Sequence, residues 1–568
     1  MFNVSLTPKA LSLVLLFAAV STLSSKPAGT LRQFEFRGSQ IYPGTVRDYW
    51  VYTPVGYEES DDPCLMVFND GHDYVRESGH WRAPEVIDEL LAAGEIPMCV
   101  AVFAKWGRID PENEDQIMRM NRSFEYDSVG DRFVTFLEEE LLPEVRKSYR
   151  FSNDGNDRAI IGSSTGGICA FNVVWERPDR FSRVFCTVGT FVGFRGGHEL
   201  EFLIRKSEPK PIRVVLYDGR NDLDNQVGNW WHSNQLIYTA LKFHDYEVEV
   251  FWDDGEHGGK FCGKWLPDGL REIWRGWPES PKPGTLNEKN RAHEILLPGE
   301  GWKQVAETPE GLCYLSTLQS GAIVGATKEG RIFKFDGAFE WELLADMGMP
   351  IFCIDGIEDN RLSVLREDAL LFVAGENGET VGEIILDLSM HDILPFKNGV
   401  FFAVDTPGSL YRLDSSGARE RLELEFPSGS HLARDPSDRF LAALSNDSRF
   451  GWSGILSEDQ GVHHAQRFYH IHVPEYSDKS GLSEILFERK NGLLLAPTSL
   501  GIQVFGHQGR CDGIIDLPEN SVVRAITFGL GNESNLYALT ENGLFKRRTQ
   551  TGGVHVWSEH SKVEKFFR

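Results

Sequence analysis

Gly162-Ser163-Ser164-Thr165-Gly166 is where residue types and spacing in this chain first point to chemistry. A G-x-S-x-G run between a strand and a helix forces a tight turn that lifts the central serine hydroxyl off the sheet. Ala159, Ile160 and Ile161 read as that strand and Ile168–Trp175 as the helix. A serine hydroxyl is inert at neutral pH without a base, and the base needs a carboxylate to orient it. Downstream, the strand-like run Arg213–Tyr217 ends in Asp218-Gly219-Arg220-Asn221-Asp222-Leu223-Asp224. The next, Glu247–Trp252, ends in Asp253-Asp254-Gly255-Glu256-His257-Gly258-Gly259. Both loops leave the carboxyl ends of their strands, on the sheet edge that carries Ser164. This yields Ser164 as nucleophile, His257 as base and Asp222 as orienting acid, with Asp218 and Asp224 open as alternatives for the acid. His232 and His244 fall in an expected helix and read as surface or packing residues. Acyl transfer also needs N–H donors aimed at the developing oxyanion. Thr165 directly follows the serine, and Asn69-Asp70-Gly71-His72 follows the strand Pro63–Phe68, so the backbone N–H groups of Thr165 and His72 are the candidates, with Gly71 and Asp73 as alternatives to His72.

The elements that must position these groups follow from periodicity. From about 45 to 278, short apolar runs such as PCLMVFN (63–69) and PMCVAVF (97–103) alternate with amphipathic segments. One of these, Phe133–Arg146, spaces Phe133, Phe136, Leu137, Leu141 and Val145 as a helix does. Strands alternating with helices imply a mostly parallel sheet covered on both faces. The polar, Pro- and Gly-punctuated stretch 279–290 reads as a linker. Beyond it helical periodicity fades. Hairpin-like pieces begin at Gly330, Gly375, Gly408, Gly461, Gly501 and Gly543, about 43 residues apart on average. That period in an all-β segment indicates four-stranded propeller blades, and six starts indicate six blades. The expected fold is thus two domains, an α/β domain over 30–278 and a six-bladed β-propeller over 291–568, joined by 279–290.

Composition narrows the setting. The 568 residues hold 58 Lys and Arg against 84 Asp and Glu, a net charge of −26. So acidic a chain repels nucleic acid and anionic membrane, and neither is expected as a partner. Residues 1–25 have the layout of a signal peptide, with Lys9, an apolar run Ala10–Val20 and then small residues, so a secreted or periplasmic protein is expected, with no membrane association once the signal is removed. The eight cysteines contain no C-x-x-C pair; zinc is not expected, and disulfides are allowed but cannot be paired from sequence.

VFNDGHDYV (67–75), NRSFEYD (121–127), GSSTGG (162–167), DGRNDLDNQVGNW (218–230) and EHGGKFCGKWLPDGLREIW (256–274) together resemble the esterase branch of the α/β-hydrolases that includes enterochelin esterases and esterase D. The resemblance spans about 230 residues in the expected order. It implies ester hydrolysis by Ser164, His257 and Asp222 without any cofactor, on a small-molecule or carbohydrate ester. It also implies that Arg122 or Glu125 touches substrate or that the two serve a structural ion pair.

The second half resembles the SMP-30/gluconolactonase family, on GLLLAPTSLGIQVFGHQGRCDGIIDLP (492–518) and ITFGLGNESNLYALTENGLFKR (526–547). That family holds a divalent cation in its central channel, and its ligand pattern transfers poorly here. Glu310 matches an early Glu, Pro427-Ser428-Gly429 and Met390-His391-Asp392 stand where asparagines are expected, and Ser483-Glu484-Ile485 replaces a late Asp motif. Glu310 is the one remnant ligand, and a divalent cation is not expected. Arg434, Arg449 and Trp452 either hold a sugar or form salt-bridged loops around a buried indole. Three readings result: a secreted serine carboxylesterase with a degenerate lactonase-like propeller as accessory module, a metal-dependent sugar lactonase, or a non-catalytic binding protein.

Overall fold

The computed structural model describes residues 29–335, 337, 340–457, 461–474, 477–529, 534–555 and 557. The expected signal peptide lies outside these residues. In the first domain the strands are β1 (Thr30–Arg37), β2 (Val46–Thr53), β3 (Cys64–Asn69), β4 (Cys99–Ala104), β5 (Arg158–Ser163), β6 (Arg183–Thr187), β7 (Arg213–Asn221) and β8 (Val248–Glu256). They form one sheet in the order β8-β7-β6-β5-β3-β4-β2, extended by the two-residue strands Arg108–Ile109 and Arg119–Met120, with β1 also paired to β2. From β8 to β4 every pairing is parallel; β2 is antiparallel to β4 and to β1.

Alternation along the central strands divides the core in two. Leu65, Val67, Val102, Ile160, Val184 and Leu216 face one layer, and Met66, Phe68, Phe103, Ile161, Phe185 and Tyr217 face the other. Strands buried on both faces are uniformly apolar, which is why these runs stand out in the sequence. Helices α1 (Ala83–Ala92) and α5 (Leu266–Trp274) cover one face. Helices α2 (Thr165–Glu176), α3 (Leu200–Lys206) and α4 (Trp230–Phe243) cover the other. The expected helix over 133–146 forms with a π turn at Leu137–Leu141 between the α-helical segments Arg132–Phe136 and Leu142–Arg146. Pro143 follows that turn; its ring would clash with the carbonyl four residues back, and a wider turn accommodates it.

The second domain consists of six four-stranded antiparallel sheets. Its inner strands are Leu312–Thr317, Ile351–Ile357, Met390–Pro395, Ser430–Arg434, Leu486–Phe487 and Val523–Gly529. The sixth sheet is completed from outside its own segment: Lys303–Ala306 pairs antiparallel with Leu544–Arg548 and closes the ring.

The propeller is fastened to the α/β domain through its fifth and sixth blades. Leu200, Leu203 and Ile204 share one apolar cluster with Leu494, Phe505, Cys511 and Ile514. Glu208 takes both terminal nitrogens of Arg547 at 2.7 Å and the backbone N–H of Asp516 at 2.9 Å. Lys206 Nζ donates to His472 Nε2 at 2.7 Å. The stretch 279–290 is not a loose tether: Thr285 N–H donates to the His244 carbonyl, and the Asn287 and Asn290 amides donate to the carbonyls of Phe243, Arg205 and Lys206. All eight cysteines are free, including Cys64 and Cys99, which sit opposite each other on β3 and β4.

Candidate active site

Ser164 sits between β5 and α2 with φ 57° and ψ −124°, a conformation costly for a residue with a Cβ. The glycines make the turn possible. A Cβ on Gly162 would lie 1.9 Å from the Gly166 carbonyl oxygen. The backbone is pinned by the Ser164 N–H donating to the Thr187 carbonyl at 2.9 Å, and by the N–H groups of Gly167 and Thr190 donating back to the Ser164 carbonyl.

β7 and β8 run further than their apolar runs suggest, to Asn221 and Glu256, because their polar ends keep pairing parallel past the core. Asp222 and His257 therefore follow directly at neighbouring strand ends. His257 Nδ1–H donates to Asp222 Oδ1 at 2.5 Å, and Ser164 Oγ donates to His257 Nε2 at 2.9 Å. Asp222 also accepts the Leu223 N–H on Oδ1 at 2.6 Å. Its carboxylate fixes the imidazole proton on Nδ1 and leaves Nε2 free to accept. Ser164 Oγ lies 3.4 Å from Thr190 Oγ1, which in turn accepts the Trp230 indole N–H. Sequence reasoning missed Thr190, which lies outside any motif, and gave no role to Trp230, the last residue of the stretch 218–230. Of the alternatives for the acid, Asp224 is exposed in a two-residue strand, and Asp218 lies fully buried beneath Asp222.

The loop after β3 is strapped to the serine turn. Asn69 Nδ2 donates to the Gly166 carbonyl at 3.1 Å, and a Cβ on Gly166 would lie 3.0 Å from Asp70 Oδ2. His72 belongs to the short helix Gly71–Tyr74 that this loop opens. Burial lowers the His72 imidazole from the usual histidine value, against the opposing pull of Asp73 and Asp70. Thr165 opens α2; its side chain and that of Ser123 hydrogen-bond Asp127, whose carboxyl burial nevertheless pushes up.

Arg122 and Glu125 separate. Arg122 grips Asp70 with Nε at 3.0 Å and Nη2 at 2.6 Å, and its side chain is 35% exposed beside the site. The expectation that Glu125 contacts substrate is wrong. Its side chain is 0% exposed, paired with Arg47 at 2.8 Å and accepting the Gly107 N–H. It braces the sheet edge from inside. Beside the serine, Phe194 packs edge-on against Trp230 and Trp230 against His257, and Leu223 is exposed.

A cavity of about 710 Å³ lies elsewhere, in the propeller channel, and none of Ser164, Asp222 and His257 lines it. Glu310, the expected remnant ligand, is exposed and outside the channel. The channel instead presents Asp355, Asp392 and Glu484, three carboxyls where sequence comparison counted mainly neutral replacements. Their oxygens are engaged by the blades: Asp355 by Ser316, Asp392 by the Leu432 N–H, Glu484 by the Ile526 N–H. Burial raises all three towards the neutral acid, Asp355 to about 7. Among the described residues no group of three or more His, Cys, Asp or Glu side chains is placed to hold a metal ion. Arg434 pairs with Asp438 and the His555 carbonyl at the channel, and Trp452 packs on Phe426.

Residues 42–258 match the family model described as "Putative esterase". This segment, well under half of the chain, is similar to the esterase family. An iron(III) enterobactin esterase of Escherichia coli O6:H1 is 26% identical over 238 residues, 40% of this chain and 54% of that protein. An endo-1,4-beta-xylanase/feruloyl esterase of Xylanibacter ruminicola is 24% identical over 241 residues, 40% of this chain and 29% of that protein. The match thus spans about half, or less, of the length of these curated relatives. A solved gluconolactonase from Xanthomonas campestris aligns with 45% of this chain and 92% of its own at 17% identity and a TM-score of 0.39. The matched segment carries Ser164, Asp222 and His257 within its bounds.

Proposed function

We propose that the chain is a secreted serine carboxylesterase. The reading is carried by one observation, the hydrogen-bonded chain from Ser164 through His257 to Asp222 on a strained strand-to-helix turn. In this mechanism Ser164 Oγ attacks the ester carbonyl while His257 Nε2 takes its proton. Asp222 holds the tautomer and stabilises the imidazolium. The N–H groups of Thr165 and His72 receive the oxyanion. His257 returns the proton to the leaving alkoxide, and the same base then activates a water that releases the acid and frees Ser164.

The rim of Phe194 and Leu223, with Arg122 beside it, suits an ester bearing an aromatic or otherwise planar apolar group, including siderophore- or carbohydrate-linked esters. The names of the relatives, enterobactin and feruloyl esterases, point the same way. No metal takes part, and the propeller serves as an accessory or substrate-binding module held through blades five and six. Among the described residues no helix is long and apolar enough to cross a membrane.

The test is hydrolysis of p-nitrophenyl acetate and butyrate by the purified protein beside its Ser164→Ala variant, with and without EDTA. Turnover that survives EDTA and falls by roughly 10³-fold or more in the variant is expected. Turnover indifferent to Ser164 refutes the reading, and loss on chelation with rescue by calcium moves the activity to the propeller.

A further inference from the structure

Asp218 lies four residues before Asp222, at the polar end of β7, and is 0% exposed. Its Oδ1 accepts the Gly219 N–H at 2.7 Å. Its Oδ2 is buried without an ordinary donor, and so is Asp222 Oδ2. The two carboxyl groups are in hydrogen-bond contact. Two buried oxygens of this kind cannot face each other as a pair of anions, and a single proton between them satisfies both.

The surroundings decide which acid carries it. Asp222 already accepts two N–H donors on Oδ1, from Leu223 and His257, and these favour its charge. Asp218 accepts one backbone N–H, with Asn234 on α4 as a further partner. The other titratable groups facing the pair are the thiols of Cys186 on β6 and Cys262 behind the His257 loop, and the phenol of Tyr217. No lysine or arginine is among the largest influences on Asp218. Burial, reinforced by Asp222, pushes the Asp218 carboxyl up to about 10.

We propose that Asp218 is a protonated positioning residue whose Oδ2–H donates to Asp222 Oδ2, balancing that carboxylate's charge and holding its other oxygen on His257. This inference rests on the esterase reading above and adds a fourth member beneath the triad. Removing the donor strengthens the hold of Asp222 on the imidazolium proton, so His257 becomes available as a base only at higher pH.

The experiment compares kcat/KM against pH for wild type, D218N and D218A. Asparagine keeps an N–H donor towards Asp222 and a carbonyl for Gly219. D218N is expected to stay within about threefold of wild type with its acid limb in place. D218A is expected to lose about tenfold, with the limb moved up by about one pH unit. A D218N variant as impaired as D218A, or a D218A profile superimposable on wild type, overturns the proposal. A second readout needs neither turnover nor the alanine variant. The infrared difference between wild type and D218N at neutral pH should contain a protonated-carboxyl C=O band, and its absence also overturns the proposal. Turnover that survives Ser164→Ala while that band is present would refute the esterase reading and leave the protonated pair standing.

Discussion

Asp222→Asn separates two tasks of the triad acid, because the structure shows which oxygen does what. Oδ1 faces His257 Nδ1 and also accepts the Leu223 N–H at 2.6 Å. That N–H is a donor and cannot face an NH₂ group. The asparagine should therefore keep its carbonyl oxygen on His257 and turn its nitrogen towards Asp218. The imidazole tautomer survives, and only the negative charge is lost. A hydrogen bond to a charged group contributes about 1.5–3 kcal/mol against roughly 1 for a neutral pair. At 1.36 kcal/mol per decade, the difference of about 0.5–2 kcal/mol corresponds to a drop in kcat of about 2- to 30-fold. A serine hydrolase whose acid-to-amide change imposes the wrong tautomer loses about 10⁴-fold. Asp222→Ala, which removes orientation as well as charge, should fall well below Asp222→Asn. The assay is steady-state hydrolysis of p-nitrophenyl butyrate, with active-site titration to correct for misfolded protein. A loss near 10⁴-fold for Asp222→Asn, equal to that of Asp222→Ala, would refute the argument that Leu223 holds the oxygen in place.

Three further outcomes can be checked on the same protein. Glu125→Ala leaves the Arg47 guanidinium buried and unpaired, and urea unfolding should show about 3–5 kcal/mol less stability, whereas Arg122→Ala should cost under about 1 kcal/mol and lower kcat/KM instead. Equal destabilisation by the two would contradict the assignment. Glu208→Ala strands Arg547 at the interface between the domains, and calorimetry should show the halves melting further apart than in wild type; an unchanged thermogram would show that Glu208 does not couple them. Burial lowers His431 to about 4, so the unfolded chain binds its proton from about pH 6.5 downwards while the native protein does not. Stability linked to this residue is present above that range and is lost as pH falls towards 4. The melting temperature of His431→Asn should therefore decline less than that of wild type over that interval, and parallel declines would show that His431 does not titrate differently on folding.

Much of this arrangement was legible in the sequence because parallel strands buried on both faces are unbroken apolar runs. The loops at their carboxyl ends then fall together on one edge, where Ser164, His257 and Asp222 are hydrogen-bonded in series. The glycines repeating about every 43 residues marked the blades for a related reason, since each strand reversal needs a turn residue. What stayed hidden depends on partners far away in the chain. Glu125 and Arg122 are three residues apart in one short helix, yet Glu125 points inward to Arg47, 78 positions earlier, and Arg122 outward to Asp70. Nothing local distinguishes them. Asp218 and Asp222 looked like rivals for one role because sequence cannot show that one lies under the other. The three channel carboxyls come from three separate blades and assemble only when the ring closes.

That closure sets an order of assembly. The strand Lys303–Ala306 is made early and has no neighbour in its own blade until Leu544–Arg548 exists to pair with it. While the chain is being synthesised, the α/β domain can complete its sheet and its serine turn, since every strand of that sheet precedes residue 257. The propeller must wait some 240 residues with an open edge, the kind of edge that pairs with other chains. The fifth-blade contacts on α3 form from segments near Leu494 to Ile514, shortly before the last blade is complete. The earlier-folded domain is thus a ready template against which the unfinished ring can dock, guiding the late strands to the partner left waiting at its start.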